Sequence, residues 1–251
     1  SSLLGFVFVY LAVSIAIGLA GALKVRGAKD YINAGRTLPI WVVVATVFAT
    51  WFGAETVLGI SATFLRDGLG GLVSDPFGAS LCLILVGVFF ARPLYRMNLL
   101  TIGDYYRNRY NRPVEVVTSI CIALSYLGWV AAQIAALGLV FNVISHDEIS
   151  RDAGMIIGAS AVLLYTLFGG MWSVAFTTFV QMIVIVLGLF YIAWLVSGMA
   201  GGVEAVVAHA AAAGKLEFFP RLELRDVLAF LAAWVTLGLG SIPQQDVFQR
   251  V

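Results

Sequence analysis

From Ser173 to Met199 the chain reads SVAFTTFVQMIVIVLGLFYIAWLVSGM, without one Asp, Glu, Lys, Arg or His. A helix that crosses a bilayer needs about 20 mostly apolar residues. A run of this length and character restricts the chain to a membrane. About seven such segments occur, at 3–23, 39–62, 74–95, 114–144, 153–171, 173–199 and 226–249. The composition agrees: 61% of the 251 residues are hydrophobic and 12% are charged. A soluble domain would show about 45–50% and about 25%. The net charge of +1 gives no reason to expect nucleic acid as a partner. The first apolar run is long enough to span, so it reads as a membrane helix and not as a cleaved leader.

The loops set an orientation. Lys24, Arg26, Lys29 and Arg36 fall in the first loop, and Arg92, Arg96, Arg107, Arg109 and Arg112 in the third. With Arg250 these share one side and hold most of the 15 basic residues. The positive-inside rule then places the N-terminus outside and the C-terminus in the cytoplasm of a multi-pass protein of the cell (inner) membrane. Gly169-Gly170 leaves room for only a tight helical hairpin between the fifth and sixth segments. The loop 200–225 contains GGVEAVVAHAAAAG, which predicts a short helix on the outer face. His146 and His209 lie in loops and read as solvated. Cys82 and Cys121 sit in apolar runs with no CxxC and no Cys/His cluster, so neither a disulfide nor a metal–thiolate site is expected.

Two segments break the apolar pattern. ATWFGAETVLG, residues 49–59, carries Glu55 inside a hydrophobic run. A carboxylate near the bilayer centre costs about 2.5–3.5 kcal/mol on insertion scales. Gly53 costs about 1 kcal/mol in a helix relative to Ala. Thr46, Thr50, Thr56, Ser61 and Thr63 add hydroxyls. An unwound turn near Gly53 would free carbonyls that a cation could satisfy. A helix kink with Glu55 paired inside the bundle accounts for the same stretch equally well. The second break is GSIPQQDVFQRV, where Pro243 removes a donor and Gln244, Gln245 and Asp246 follow. Interrupted apolar segments in corresponding positions of two halves point to a transporter binding site.

Other positions are open to two readings. Trp129 and Gln133 share a helix face and could line a pocket or simply pack. Asp75-Pro76 suits a helix start as well as a site. Thr177, Thr178 and Gln181 form a polar stripe that interhelical hydrogen bonds would explain.

Four stretches in order carry a resemblance: ATWFGAETVLGISATF, FFARPLYRMNLLTIGDYYRNRY, LLYTLFGGMWSVAFTTFVQM and GSIPQQDVFQRV. Together they resemble the sodium:solute symporter family, nearest to its choline and proline transporter branches. The resemblance implies an all-α integral membrane protein with a LeuT-like inverted-repeat transporter fold, of which this chain would be the N-terminal part. In that scheme 3–23 is a leading helix, 39–199 the first five-helix repeat and 226–249 the first helix of the second repeat. It implies a sodium-coupled symporter of a small organic solute such as an amino acid, quaternary amine or carboxylate, and not an enzyme. Sodium would be held by the backbone carbonyls of Ala49 and Phe52. Solute would touch Trp51, Glu55, Asp75, Trp129, Gln133, Gln244 and Gln245. Three positions depart from the family pattern. Thr178 stands where many members have an acid linked to cation coupling. Trp51 and Trp129 match the aromatic cage of choline-type members, whereas Ala79 and Gln244 stand where further aromatics of that cage would be expected. A transporter-like membrane sensor domain of a signalling protein and an uncoupled solute facilitator are the alternatives.

Overall fold

The computed structural model describes residues 2–250. Val251, the last residue of the FQRV stretch, lies outside them. The described residues form two compact units, one of residues 2–50, 99–181 and Arg250, the other of residues 51–98 and 182–249. Helices Leu3–Ala22, Leu69–Arg96, Arg112–Ile144 and Arg151–Met199 are each long and apolar enough to cross a membrane. The remaining expected spans are explained by breaks. A 49-residue unbroken helix would be about 74 Å long, far more than the roughly 30 Å of hydrocarbon. Gly170 divides it with non-helical torsions of φ 48° and ψ −133°. The second and seventh segments are each interrupted, as Ile40–Trp51 followed by Glu55–Asp67, and as Leu224–Gly240 followed by Gln245–Gln249.

In the first unit, glycines let helices approach closely. A Cβ on Gly18 would sit 2.6 Å from the Tyr165 Cβ, and one on Gly21 would sit 2.8 Å from the Ser173 Cα. The Ser173 hydroxyl donates to the Gly18 carbonyl across this contact. Beside it, Ala34, Met171 and Trp172 form a buried cluster against which Val25, Leu38 and Phe176 pack. The Lys24 ammonium covers the Trp172 and Phe176 rings at 4.8 and 4.9 Å.

Two short helices, Ala28–Asn33 and Ile102–Arg109, escaped the sequence pattern because neither is long or apolar. The second starts with a reciprocal cap between Thr101 and Asp104. Side chains tie the two loops together: Asn33 Nδ2 donates to the Leu100 carbonyl at 3.2 Å and Arg36 to that of Leu99 at 2.9 Å.

Helices Arg112–Ile144 and Arg151–Gly169 are joined by a tight connection. There Asn142 Nδ2 donates to the Ile149 carbonyl at 3.0 Å, and the Ile149 amide donates to Ser145 Oγ at 2.9 Å. Gly154 and Gly158, four residues apart, face this partner helix. A Cβ on Gly154 would lie 2.7 Å from the Phe141 Cβ, and one on Gly158 would lie 2.9 Å from Leu137 Cδ1. Small residues at this spacing let membrane helices pack backbone to backbone. Gly154→Leu is expected to lower stability by about 1–3 kcal/mol through overpacking. The thermal midpoint of the detergent-purified protein should fall, whereas Gly128→Leu, which meets nothing within 4 Å, should leave it near the wild-type value.

The second unit is built around the third segment. Its start is held from outside by the stretch after the short helix Val203–Ala212. Lys215 Nζ donates to the Arg66 carbonyl at 2.7 Å, and the Leu69 amide donates to the Lys215 carbonyl at 2.8 Å. Gly68 lies between them with φ 70°, and a Cβ there would stand 2.7 Å from the Lys215 oxygen. Phe218 then packs on Phe77 with ring centroids 4.6 Å apart, and on Phe230 at 5.5 Å. Helix Leu224–Gly240 runs along residues 73–85. A Cβ on Gly78 would come within 3.1 Å of the Trp234 carbonyl.

Candidate functional site

The first break falls where Gly53 weakens the helix. Helix Ile40–Trp51 ends, Phe52 and Gly53 leave helical geometry, and a wide turn follows over Glu55–Gly59. The last four carbonyls of a helix lack regular partners within it, and Ala49 and Trp51 belong to that set. One threonine, Thr56, takes up part of this capacity, and another bonds further back in the helix. Thr50 Oγ1 donates to the Thr46 carbonyl at 2.9 Å, and Arg250 Nε reaches the same oxygen at 3.2 Å. Thr56 Oγ1 lies 3.0 Å from the Trp51 carbonyl, across the break.

The third segment is also irregular. Asp75 has extended torsions, φ −129° and ψ 121°, inside an otherwise helical run, and the Asp75-Pro76 peptide is cis. Its carboxylate turns toward the first break, with Oδ2 at 3.2 Å from Thr56 Oγ1. Glu55 precedes Thr56 at the start of the wide turn. Glu55 itself is exposed, whereas Trp51, Thr56 and Asp75 are half-buried.

The second break meets the first. Helix Leu224–Gly240 gives way to a turn at Ser241–Pro243, and a new helix begins at Gln245. Cys82, Val86 and Val247 form a buried apolar cluster, and Trp51 and Ile242 pack against it. The side chains next to both interruptions therefore share one cluster, with half-buried Gln244 and Gln245 alongside. Trp51 is engaged in this packing, so its indole is partly core.

The sequence-nominated residues divide accordingly. Trp51, Phe52, Glu55, Asp75, Gln244 and Gln245 lie in the second unit. Ala49, Trp129 and Gln133 lie in the first. Trp129 is 40% exposed and makes an edge-on contact with Tyr126. Ala79, where an aromatic would complete a cage, is buried at 5% exposure. Thr178 gives its hydroxyl to the carbonyl of Val174 at 2.8 Å on its own helix. Among the described residues no group of three or more His, Cys, Asp or Glu is placed to hold a metal ion. Sequence reasoning named Thr56 only as one hydroxyl among several. Its partner stands 19 positions away, and no periodicity in the sequence links the two.

Comparison with known proteins agrees with this architecture. The family model for the sodium:solute symporter family matches residues 31–251. High affinity choline transporter 1 of Homo sapiens is 31% identical over 255 residues, covering 98% of this chain and 43% of that protein. The sodium/glucose cotransporter of Vibrio parahaemolyticus is 25% identical over 211 residues, covering 78% of this chain and 36% of that protein. The chain thus spans less than half the length of these curated relatives. A solved structure, of a substrate-bound outward-open state of a Na+-coupled sialic acid symporter, superposes with a TM-score of 0.84 at 20% identity. It covers 99% of this chain and 52% of its own. That likeness shows the all-helical LeuT-like membrane fold. On the family match, which takes in both breaks, the chain belongs to the sodium:solute symporter family.

Proposed function

We propose that this chain is part of a sodium-coupled symporter that carries a small organic solute across the cell membrane. The observation that carries the reading is the meeting of two interrupted helices, through Trp51 and Ile242, on the Cys82–Val86–Val247 cluster. Broken membrane helices expose backbone groups where ions and solutes can take the place of helical hydrogen bonds. Sodium binds the carbonyls of Ala49 and Phe52. Trp51, Glu55, Asp75, Gln244 and Gln245 contact the solute, with Trp129 and Gln133 contributing from the helix Arg112–Ile144. Sodium and solute bind the same outward-open state and leave together inside, so the sodium gradient drives accumulation. The basic loops face the cytoplasm, with the N-terminus outside. Helix 3–23 leads, 39–199 forms the first repeat and 226–249 opens the second.

The test is uptake into proteoliposomes by the product of the whole gene, with and without an inward sodium gradient. Proline, choline, betaine, ethanolamine and small carboxylates form the panel. Accumulation of one of them only with the gradient is the expected result. One observation favours the facilitator instead: Thr178 replaces the acid that many family members carry and spends its hydroxyl on its own helix. Equal, non-concentrative uptake with and without sodium would establish that alternative.

A further inference from the structure

The Thr56 hydroxyl stands within hydrogen-bond distance of two acceptors, the Trp51 carbonyl at 3.0 Å and Asp75 Oδ2 at 3.2 Å. A threonine hydroxyl has a single hydrogen. Three oxygens from two helical segments are therefore gathered around one donor, whose single hydrogen serves one of the two acceptors at a time. All three residues are half-buried. Glu55, adjacent to Thr56 in the chain, places a second carboxylate on the same turn. The ring of Trp51 is committed on part of its surface to Val247 and its neighbours, and Ala79 offers no aromatic. Around Thr56 the site is thus rich in acceptors and acidic, its other donors being the Gln244 and Gln245 amides alongside, and Ala79 leaves it with less aromatic surface than a quaternary ammonium needs.

We propose that Thr56 and Asp75 are specificity-determining residues that select a solute carrying a protonated amine with N–H groups. Such a group brings positive charge and supplies the donors that the Trp51 carbonyl and the Asp75 carboxylate share one hydrogen to obtain. A quaternary ammonium carries the charge but has no hydrogen to give. A carboxylate end would add acceptors and meet repulsion. The inference rests on the symporter reading for the location of the site, and adds the substrate class.

The test uses the whole-gene product and a methylation series in which only N–H donors are lost: ethanolamine, N-methylethanolamine, N,N-dimethylethanolamine and choline. Binding is read first, as ligand-induced thermal stabilisation in detergent at fixed sodium. Apparent affinity should fall along the series, by about tenfold or more from ethanolamine to choline, the value of one charge-assisted hydrogen bond. Asp75→Asn, which keeps the shape and supplies its own N–H, should abolish that preference. Thr56→Val, which keeps the volume and removes the hydroxyl, should weaken it. Stabilisation by choline equal to or greater than that by ethanolamine overturns the proposal. So does an Asp75→Asn protein with an unchanged series, and so does stabilisation by sodium alone that Asp75→Asn removes while no amine has any effect. Uptake is read separately. Sodium-driven accumulation of a carboxylate or a quaternary amine, with no preference for N–H donors, would sink this inference and leave the symporter reading intact. The expected binding series without sodium-driven uptake would uphold it and remove that reading.

Discussion

Gly170→Ala is expected to cost about 3 kcal/mol or more and to reduce the yield of folded protein sharply. Two independent effects add at this position. At φ 48° and ψ −133° the backbone lies outside every basin open to residues with a Cβ, including the left-handed helical one. Holding a side-chain-bearing residue in such a region costs about 1–3 kcal/mol. The new methyl group would also run into the Tyr31 carbonyl and ring, and neither yields easily. Tyr31 is anchored through its hydroxyl to the Thr166 carbonyl at 3.1 Å, and a forced shift in a packed region costs about 1–3 kcal/mol more. A domain with only about 5–15 kcal/mol of total stability loses a large share of it. The measurement is the monodisperse fraction and thermal midpoint after detergent extraction. Gly188→Ala is the control: nothing lies within 4 Å of its Cβ position, and the better helix propensity should hold or raise the midpoint. Equal behaviour of the two variants would show that the turn at Gly170 adapts.

Glu55→Leu should leave membrane insertion intact and reduce solute or sodium binding by about tenfold or more. Removing the carboxylate relieves an insertion cost of about 2.5–3.5 kcal/mol, and leucine is a good helix former. Neither folding nor delivery to the membrane has reason to suffer. Binding does, because Glu55 opens the turn after the first break, one residue before the Thr56 that donates to Asp75. Losing a charged partner at a site of this kind is worth about 1.5–3 kcal/mol, which is roughly tenfold to a hundredfold in affinity. Equilibrium binding, compared with the extracted yield of the same variant, separates the two effects. Unchanged binding would make Glu55 a packing residue.

The sequence by itself determined that the chain belongs in a membrane and where its helices fail. Insertion energy is summed over about 20 consecutive residues, and a Gly, a Pro or a buried acid weakens a helix at its own position. That is why Gly53, Gly170 and Pro243 marked their breaks without coordinates. Only the tertiary structure decided which surfaces meet. Gly154 and Gly158 look like any small residues in an apolar run until the Gly138 backbone and the Phe141 and Leu137 side chains are seen against them. Thr56 is one hydroxyl among several until Asp75 turns out of its helix to face it. Trp51 and Val247 stand at opposite ends of the chain, yet they belong to one apolar cluster. Such contacts depend on how helices cross and rotate against each other, a long-range balance of packing and shared hydrogen bonds that no window of consecutive residues contains.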